Sequence, residues 1–333
     1  MRAAVFQGLH RPLAIESLPD PTPRKGEVVV QVGRCGICGS DLHMSEDSAF
    51  GKHPGDIFGH EFAGEVIALG KGVERVAPGD RVSVVPLASC GHCPTCLAGE
   101  PAWCDRMALQ GGGYAEYATT HENQCVLLPK TASIADGAIV EPLAVALHGV
   151  MLSGLAPGDR VLVLGAGPIG LGVACWARRM GARAVVVQDI TRHQEERALA
   201  MGATAFVVDT DEPVAASDRA LGGKADIVFE CVGLPGLIAQ AVAQVRVKGT
   251  VLILGLCTRP DSFVPFVALS KEVRLVTSAF FRRQEYEAAL DMLDAGEAAP
   301  RLLVTDTVGL DAVPGTFEAL KRRTHQCKVL IAP

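Results

Sequence analysis

The segment CGHCPTCLAGEPAWC places Cys90, Cys93, Cys96 and Cys104 within fifteen residues. Two successive C-x-x-C steps let one loop wrap a single ion, and four thiolates make a closed tetrahedral zinc site with no room for substrate. A disulfide pair would use the same residues, but disulfides are scarce in large cytosolic chains, which favours the metal. A second set of donors is spread more widely. CGICGSDLH holds Cys38, Ser40, Asp41 and His43, FGHEFAG holds His60 and Glu61, and VEPLAVALHG holds Glu141. Cysteine, histidine and carboxylate together suit a catalytic zinc, which keeps one coordination position open. Singly, each has an ordinary explanation. Cys38 fits a buried thiol or a redox pair with Cys35, His60 a hydrogen-bonded core histidine, Glu61 a surface charge, and Glu141 a helix cap before Pro142.

A third pattern concerns phosphate. Gly165, Gly167, Pro168, Ile169 and Gly170 form G-A-G-P-I-G, after the apolar run RVLVLG and before the helix-like PIGLGVACWARRMG. Glycines there let the backbone approach a pyrophosphate, and the helix N-terminus offers free N–H groups. An acidic residue is expected about 20 residues on, at the next strand end, to hold the adenosine ribose hydroxyls. Asp189 stands at that position. Its carboxylate would repel a 2′-phosphate, so NAD is expected over NADP, with Arg192 nearby the one residue that opposes this.

The elements that must carry these residues divide into two textures. Up to about residue 140 the chain is rich in Gly and Pro, with short β-type runs such as EVVVQV, GEVIAL and DRVSVV, and suggests an irregular β lobe. After that, strands (RVLVLG, AVVVQD, AFVVDT, DIVFECVG, TVLILGL, VRLVTSAF) alternate with helices (PIGLGVACWARRMG, TRHQEERALAMG capped by Thr191, LPGLIAQAVAQV). Such alternation implies a parallel sheet covered on both faces. A last helix, RRQEYEAALDMLDAG, leads to a closing strand, CKVLIAP. The formal net charge of −6 and the lack of a basic run argue against a nucleic-acid surface. No uninterrupted apolar run approaches the ~18 residues that span a bilayer. MRAAVFQGLH is too short an apolar patch for a signal peptide, so a soluble, cytoplasmic protein with no membrane partner is expected.

GICGSDLH, GHEFAGEV, the four-cysteine segment, VEPLAVALH and GAGPIG occur together, in order, over nearly the whole chain. In this the chain resembles the zinc-containing medium-chain dehydrogenase/reductases, the alcohol, sorbitol, threonine and butanediol dehydrogenase group. The resemblance implies an α/β protein: a GroES-like β-rich catalytic domain over 1–142, a Rossmann doubly wound coenzyme domain over 143–279, and a segment 280–333 completing the first. It implies two zinc ions per subunit. One is structural, at the four cysteines, and one catalytic, at Cys38, His60 and either Glu61 or Glu141. Glutamate followed by Pro-Leu at 141–143 resembles the polyol and butanediol branch. The implied reaction passes a hydride between NAD(H) and a secondary alcohol, diol or polyol and its ketone, the proton leaving through Ser40 and His43. Leu254, Gly255, Leu256, Ser278, Ala279 and Phe280 would flank the nicotinamide, and Lys328 would reach the pyrophosphate. A homodimer or homotetramer is expected.

Two other functions fit the scaffold. One is a zinc-free quinone or enoyl reductase, against which Cys38, His60 and the cysteine lobe argue. The other is a non-catalytic dinucleotide-binding relative, against which the complete relay argues. Met44 and Phe280 stand where sorbitol dehydrogenases tend to carry Tyr and Arg, which points to an apolar pocket wall. Tyr114 and Tyr117 fit either the pocket or the β-lobe core. The remaining cysteines, 35, 125, 175, 231, 257 and 327, are expected as small buried residues.

Overall fold

The valine-rich run EVVVQV forms the start of the strand Glu27–Gly36, buried on both faces at Val28, Val29 and Val30 and again at Val32. It is the centre of the first unit's seven-stranded sheet. It pairs antiparallel with Glu61–Leu69 on one side, and with Lys328–Ala332 and Tyr117–His121 on the other stretches of its length. Arg81–Val84 and Cys125–Leu127 extend the sheet beyond Glu61–Leu69, and Val304–Gly309 runs parallel to Lys328–Ala332 at the other edge. The carboxyl-terminal strand therefore lies beside the strand that ends at the CGICGSDLH segment. In the computed structural model residues 1–208, 212–322 and 325–333 are described. The first unit comprises Met1–Glu141, Arg282–Glu297 and Val304–Pro333. Its core includes Phe6, Phe58, Phe62, Tyr114 and Phe317, with the Phe6 and Phe58 rings 5.0 Å apart.

The second unit, Pro142–Phe281 with Ala298–Leu303, holds a six-stranded sheet. Every pairing is parallel, and numbering the strands in chain order from Arg160–Leu164 gives the order 3-2-1-4-5-6. This order reverses between Arg160–Leu164 and Ala225–Glu230, the crevice where open α/β sheets bind ligands. Runs of Val and Leu suit strands buried on both faces, and Val161–Leu164 and Val185–Val187 are all buried. The strand expected over AFVVDT spans Ala205–Val208, and its last two positions, 209 and 210, lie outside the described residues.

Two elements differ from expectation. The helix expected from Thr191 begins only at Glu195. Between them a turn closes from Glu195 N to Arg192 O (3.0 Å), and the Thr191 backbone N–H donates to Asp189 Oδ1 (3.2 Å). Glu141 is not a helix cap either. It sits inside the twenty-residue helix Ile134–Ser153, with Pro142 also internal. That helix is long and apolar enough to cross a membrane by length and composition, yet 78% of its most apolar window is buried inside the protein.

Candidate metal centres and cofactor site

The strand Glu27–Gly36 ends where Ile37 turns into the core, and Cys38 then caps the six-residue helix Gly39–Met44. Asp41, at the third helical position, accepts the Cys38 backbone N–H at 3.2 Å. The start of the next strand presents His60 and Glu61, and Glu61 lies directly across from Gly36. A Cβ at Gly36 would collide with Glu61 Oε2, so only glycine leaves room for that carboxylate. The result is a cluster: one ligand atom each from Cys38, His60 and Glu61 lies within 4.8 Å of the others. Glu141 is buried near them but does not belong to that cluster; burial, foremost, raises its carboxyl pKa to about 7.

The charges around the cluster favour a cation. His60 Nδ1 lies 3.3 Å from Asp41 Oδ1. Burial alone would lower the imidazole pKa, but Asp41 and Cys38 hold it well above its ordinary value. Asp41, although burial opposes it, is kept ionised by His60. A carboxylate that fixes one ring nitrogen of a histidine while the other faces a thiol is the usual outer arrangement of a zinc-binding histidine. Ser40 Oγ donates to Cys38 Sγ at 3.2 Å. His43, one turn further on the same helix, is exposed. Cys35 is fully buried and burial raises its thiol pKa well above the ordinary value, an environment unsuited to a redox thiolate.

Lys328 is corrected. Instead of reaching a pyrophosphate it is buried within the first unit, where its Nζ donates to Glu61 Oε1 (2.7 Å) and to the Ile37 carbonyl (3.0 Å). It also lies 2.7 Å from Glu61 Oε2, an ionic contact rather than a directed hydrogen bond. Burial disfavours its ammonium, but Glu61 and Cys38 together override this and raise its pKa. The cause is the pairing of the last strand with Glu27–Gly36, which the linear pattern of CKVLIAP does not announce. Met44 is buried, in the same core cluster as Phe58 and Phe62. Tyr114 is fully buried and donates to Asp41 Oδ2 at 2.7 Å. Asp41 and Tyr114 are the site residues that sequence reasoning left without a role. The aspartate three positions after Cys38, at a helix start, was the one available signal.

Cys90, Cys93, Cys96 and Cys104 also bring their sulfurs within 4.8 Å of one another. Cys90 Sγ and Cys96 Sγ are 3.9 Å apart, far from a disulfide and close to the ~3.8 Å that a tetrahedron of ~2.3 Å zinc–sulfur bonds requires. Backbone N–H groups of Cys93, Cys96 and Arg106 point at the sulfurs of Cys90, Cys93 and Cys104 at 3.4–3.5 Å. The Cys96 N–H lowers the Cys93 thiol pKa to about 6. The lobe is tied down by Arg282–Glu100 (2.6 Å) and by Arg283 N–H to the Gly99 carbonyl (2.9 Å). Of the other cysteines, Cys35 and Cys125 are buried as expected, but Cys257 is exposed and Cys175, Cys231 and Cys327 are half-buried.

In the second unit Gly165 has φ +98°, a conformation that glycine tolerates. A Cβ on Gly170 would strike the Gly165 carbonyl, so the third glycine lets the helix Pro168–Arg179 close on the loop. Gly167 is exposed, and nothing lies within 4 Å of where its Cβ would project. This open face beside a helix N-terminus, with Pro168 and Ile169 in the first turn, fits a pyrophosphate. Asp189 ends its strand with Oδ2 accepting the Ala166 N–H at 2.9 Å. Arg192 is engaged with Glu195 at 2.7 Å. Leu254 and Gly255 both donate to the Glu230 carbonyl, and Leu256 is exposed beyond them. The Ser278 hydroxyl is buried with no hydrogen-bond partner among the described residues, while Ala279 is exposed. Phe280 adopts φ +58° and is half-buried.

Two stretches of the chain match known sequence families. Residues 24–130 match the alcohol dehydrogenase GroES-like domain, and residues 168–295 match the zinc-binding dehydrogenase domain. The chain belongs to the zinc-binding alcohol dehydrogenase family of oxidoreductases. It is 33% identical to the (R,R)-butanediol dehydrogenase of Bacillus subtilis (strain 168), with 100% of each chain covered. The short chain alcohol dehydrogenase RspB of E. coli CFT073, solved with NADH, superposes with a TM-score of 0.90 at 29% identity, covering 100% of this chain and 99% of that one. A Sinorhizobium meliloti 1021 protein solved with NADP gives 0.90 at 32% identity and the same coverage.

Proposed function

We propose that the protein is a zinc-dependent dehydrogenase that passes a hydride between NAD(H) and a secondary alcohol or short diol and its ketone. The observation that carries this is the meeting of Cys38, His60 and Glu61 around one point, with Asp41 fixing His60, in a chain that also bears an open dinucleotide loop. A zinc ion held there would supply a Lewis acid that lowers the pKa of a substrate hydroxyl, and a second would brace the cysteine lobe. In this reading Cys38, His60 and Glu61 hold the reactive ion, while Glu141, whose carboxyl burial already sets near neutrality, exchanges with Glu61 or binds through water. Ser40, half-buried against Cys38, would accept the hydroxyl proton as it passes its own on toward exposed His43, which hands one to solvent. Gly165, Gly167 and Gly170 seat the pyrophosphate, and the segments Leu254-Gly255-Leu256 and Ser278-Ala279-Phe280 flank the nicotinamide. The Glu141-Pro142-Leu143 run and the butanediol dehydrogenase relative support a secondary alcohol or diol. Association of two or four copies belongs to the same reading, and the edge strand Arg274–Thr277 with exposed Phe266, Leu269 and Leu275 supports it.

The direct test is NADH formation from a panel of primary alcohols, secondary alcohols, diols and sorbitol. Secondary alcohols or diols should give the highest kcat/KM; a clear preference for primary alcohols or sorbitol would overturn the substrate assignment. On the cofactor side, Asp189→Ser should lose NAD affinity and gain NADP affinity, because discrimination combines attraction of one ligand with repulsion of the other. Titration of both cofactors by fluorescence checks this, and wild-type protein that prefers NADP would place control with Arg192. His43→Ala should slow alcohol oxidation about 10²-fold, near the low end for a positioned acid–base group, since water replaces part of its role. The loss should shrink as pH rises; a parallel pH–rate profile in the variant would remove His43 from the relay.

A further inference from the structure

Tyr114 follows three glycines, and their lack of side chains governs how closely it docks. A Cβ on Gly113 would press on Cys35 Sγ (2.5 Å), the Gly59 carbonyl (2.9 Å) and Phe62 (3.0 Å), so glycine brings this backbone against the segment that leads into His60. The docking is fixed by hydrogen bonds from Gly113 N to Gly59 O (2.8 Å) and from Tyr114 N to Phe58 O (3.1 Å). On the other side, Ala4 N donates to Tyr114 O at 2.8 Å. Gly59 in turn has φ +88°, and a Cβ there would collide with the Tyr114 ring. The ring thus lies on the backbone next to His60, packed edge-on against Phe317 with centroids 6.4 Å apart. Its hydroxyl ends 2.7 Å from Asp41 Oδ2.

Asp41 is the hub of these contacts. Oδ1 faces His60 Nδ1, and Oδ2 receives both the Cys38 backbone N–H and the Tyr114 hydroxyl. One carboxylate therefore ties down two of the three clustered donors, and Tyr114 is the donor that comes to it from outside their segments. Without the phenol, Oδ2 would keep only the longer 3.2 Å bond and the carboxylate could rotate away from His60. We propose that Tyr114 is a positioning residue for the reactive metal centre, holding Asp41 so that His60 and Cys38 are pre-set for a zinc ion. It touches neither substrate nor cofactor. The inference rests on the zinc reading above.

The test is zinc release from the full-length, zinc-loaded protein into a chelating dye, with Tyr114→Phe, Asp41→Asn and the double variant. Phe preserves the ring and its packing. Partners of ligating histidines typically govern metal affinity by 10–100-fold. One link further out, Tyr114→Phe should speed release of the Cys38–His60 ion about tenfold and leave release from the four-cysteine lobe unchanged. If Tyr114 acts through Asp41, adding Tyr114→Phe to Asp41→Asn should change little more. A loss of general stability would instead speed both ions, or multiply the two effects, and either result would overturn the proposal, as would unchanged release. Wild-type protein that carries zinc only in the cysteine lobe would remove the metal reading itself, and this inference with it.

Discussion

Cys38→Ser and His60→Ala should each lower kcat by on the order of 10³-fold or more, to the background of the assay. A Lewis acid at a developing negative charge is worth several kcal/mol, and each 1.36 kcal/mol is tenfold in rate. Either change removes one of three clustered donors, and the site has no spare thiol in the right state: Cys35 is buried and held as a thiol. NAD binding should survive in both variants, because Gly165–Gly170 and Asp189 belong to the second unit. Stopped-flow turnover beside cofactor titration separates the two quantities. Loss of cofactor binding in step with turnover would point to misfolding, and retained turnover would remove the residues from the reaction.

The second large effect concerns stability. Lys328 and Glu61 form a fully buried ion pair, with side-chain exposures of 2% and 0%. Removing one member of such a pair leaves an uncompensated buried charge and destabilises by about 3–5 kcal/mol. Lys328→Met should do this to metal-free protein in chemical denaturation. Lys328→Met with Glu61→Gln should recover most of the loss, since neighbours that share one interaction are non-additive. Zinc should also reduce the penalty, because a bound cation gives Glu61 a new partner. A shift below about 1 kcal/mol in the single variant would contradict this account of the pair.

How much of the molecule is legible in its sequence depends on how local each signal is. The alternation of valine-rich strands with helices, the glycine loop and Asp189 at the next strand end are short-range patterns, and the parallel sheet in the order 3-2-1-4-5-6 matches them. The cysteine lobe is likewise local, folded by its own N–H···S bonds. The catalytic-site neighbours are not. Lys328 reaches Glu61 only because the last strand returns beside Glu27–Gly36, a contact across 267 positions. Tyr114 meets Asp41 across 73 positions, through a triple glycine whose purpose is visible only once Gly59 is seen beneath it. The late start of the helix at Glu195 was also hidden, since a turn closed from Glu195 N to Arg192 O takes the place of the first helical turn expected after Thr191.

The central claim is that one reactive zinc, held through Cys38 and His60, accounts for activity, while a second only braces the cysteine lobe. Elemental analysis of zinc per chain, set beside turnover in the same samples, tests it most directly. Wild-type protein should carry about two equivalents, and Cys38→Ser about one with no turnover. Full activity in protein with one equivalent or none, or two equivalents retained in Cys38→Ser, would contradict it.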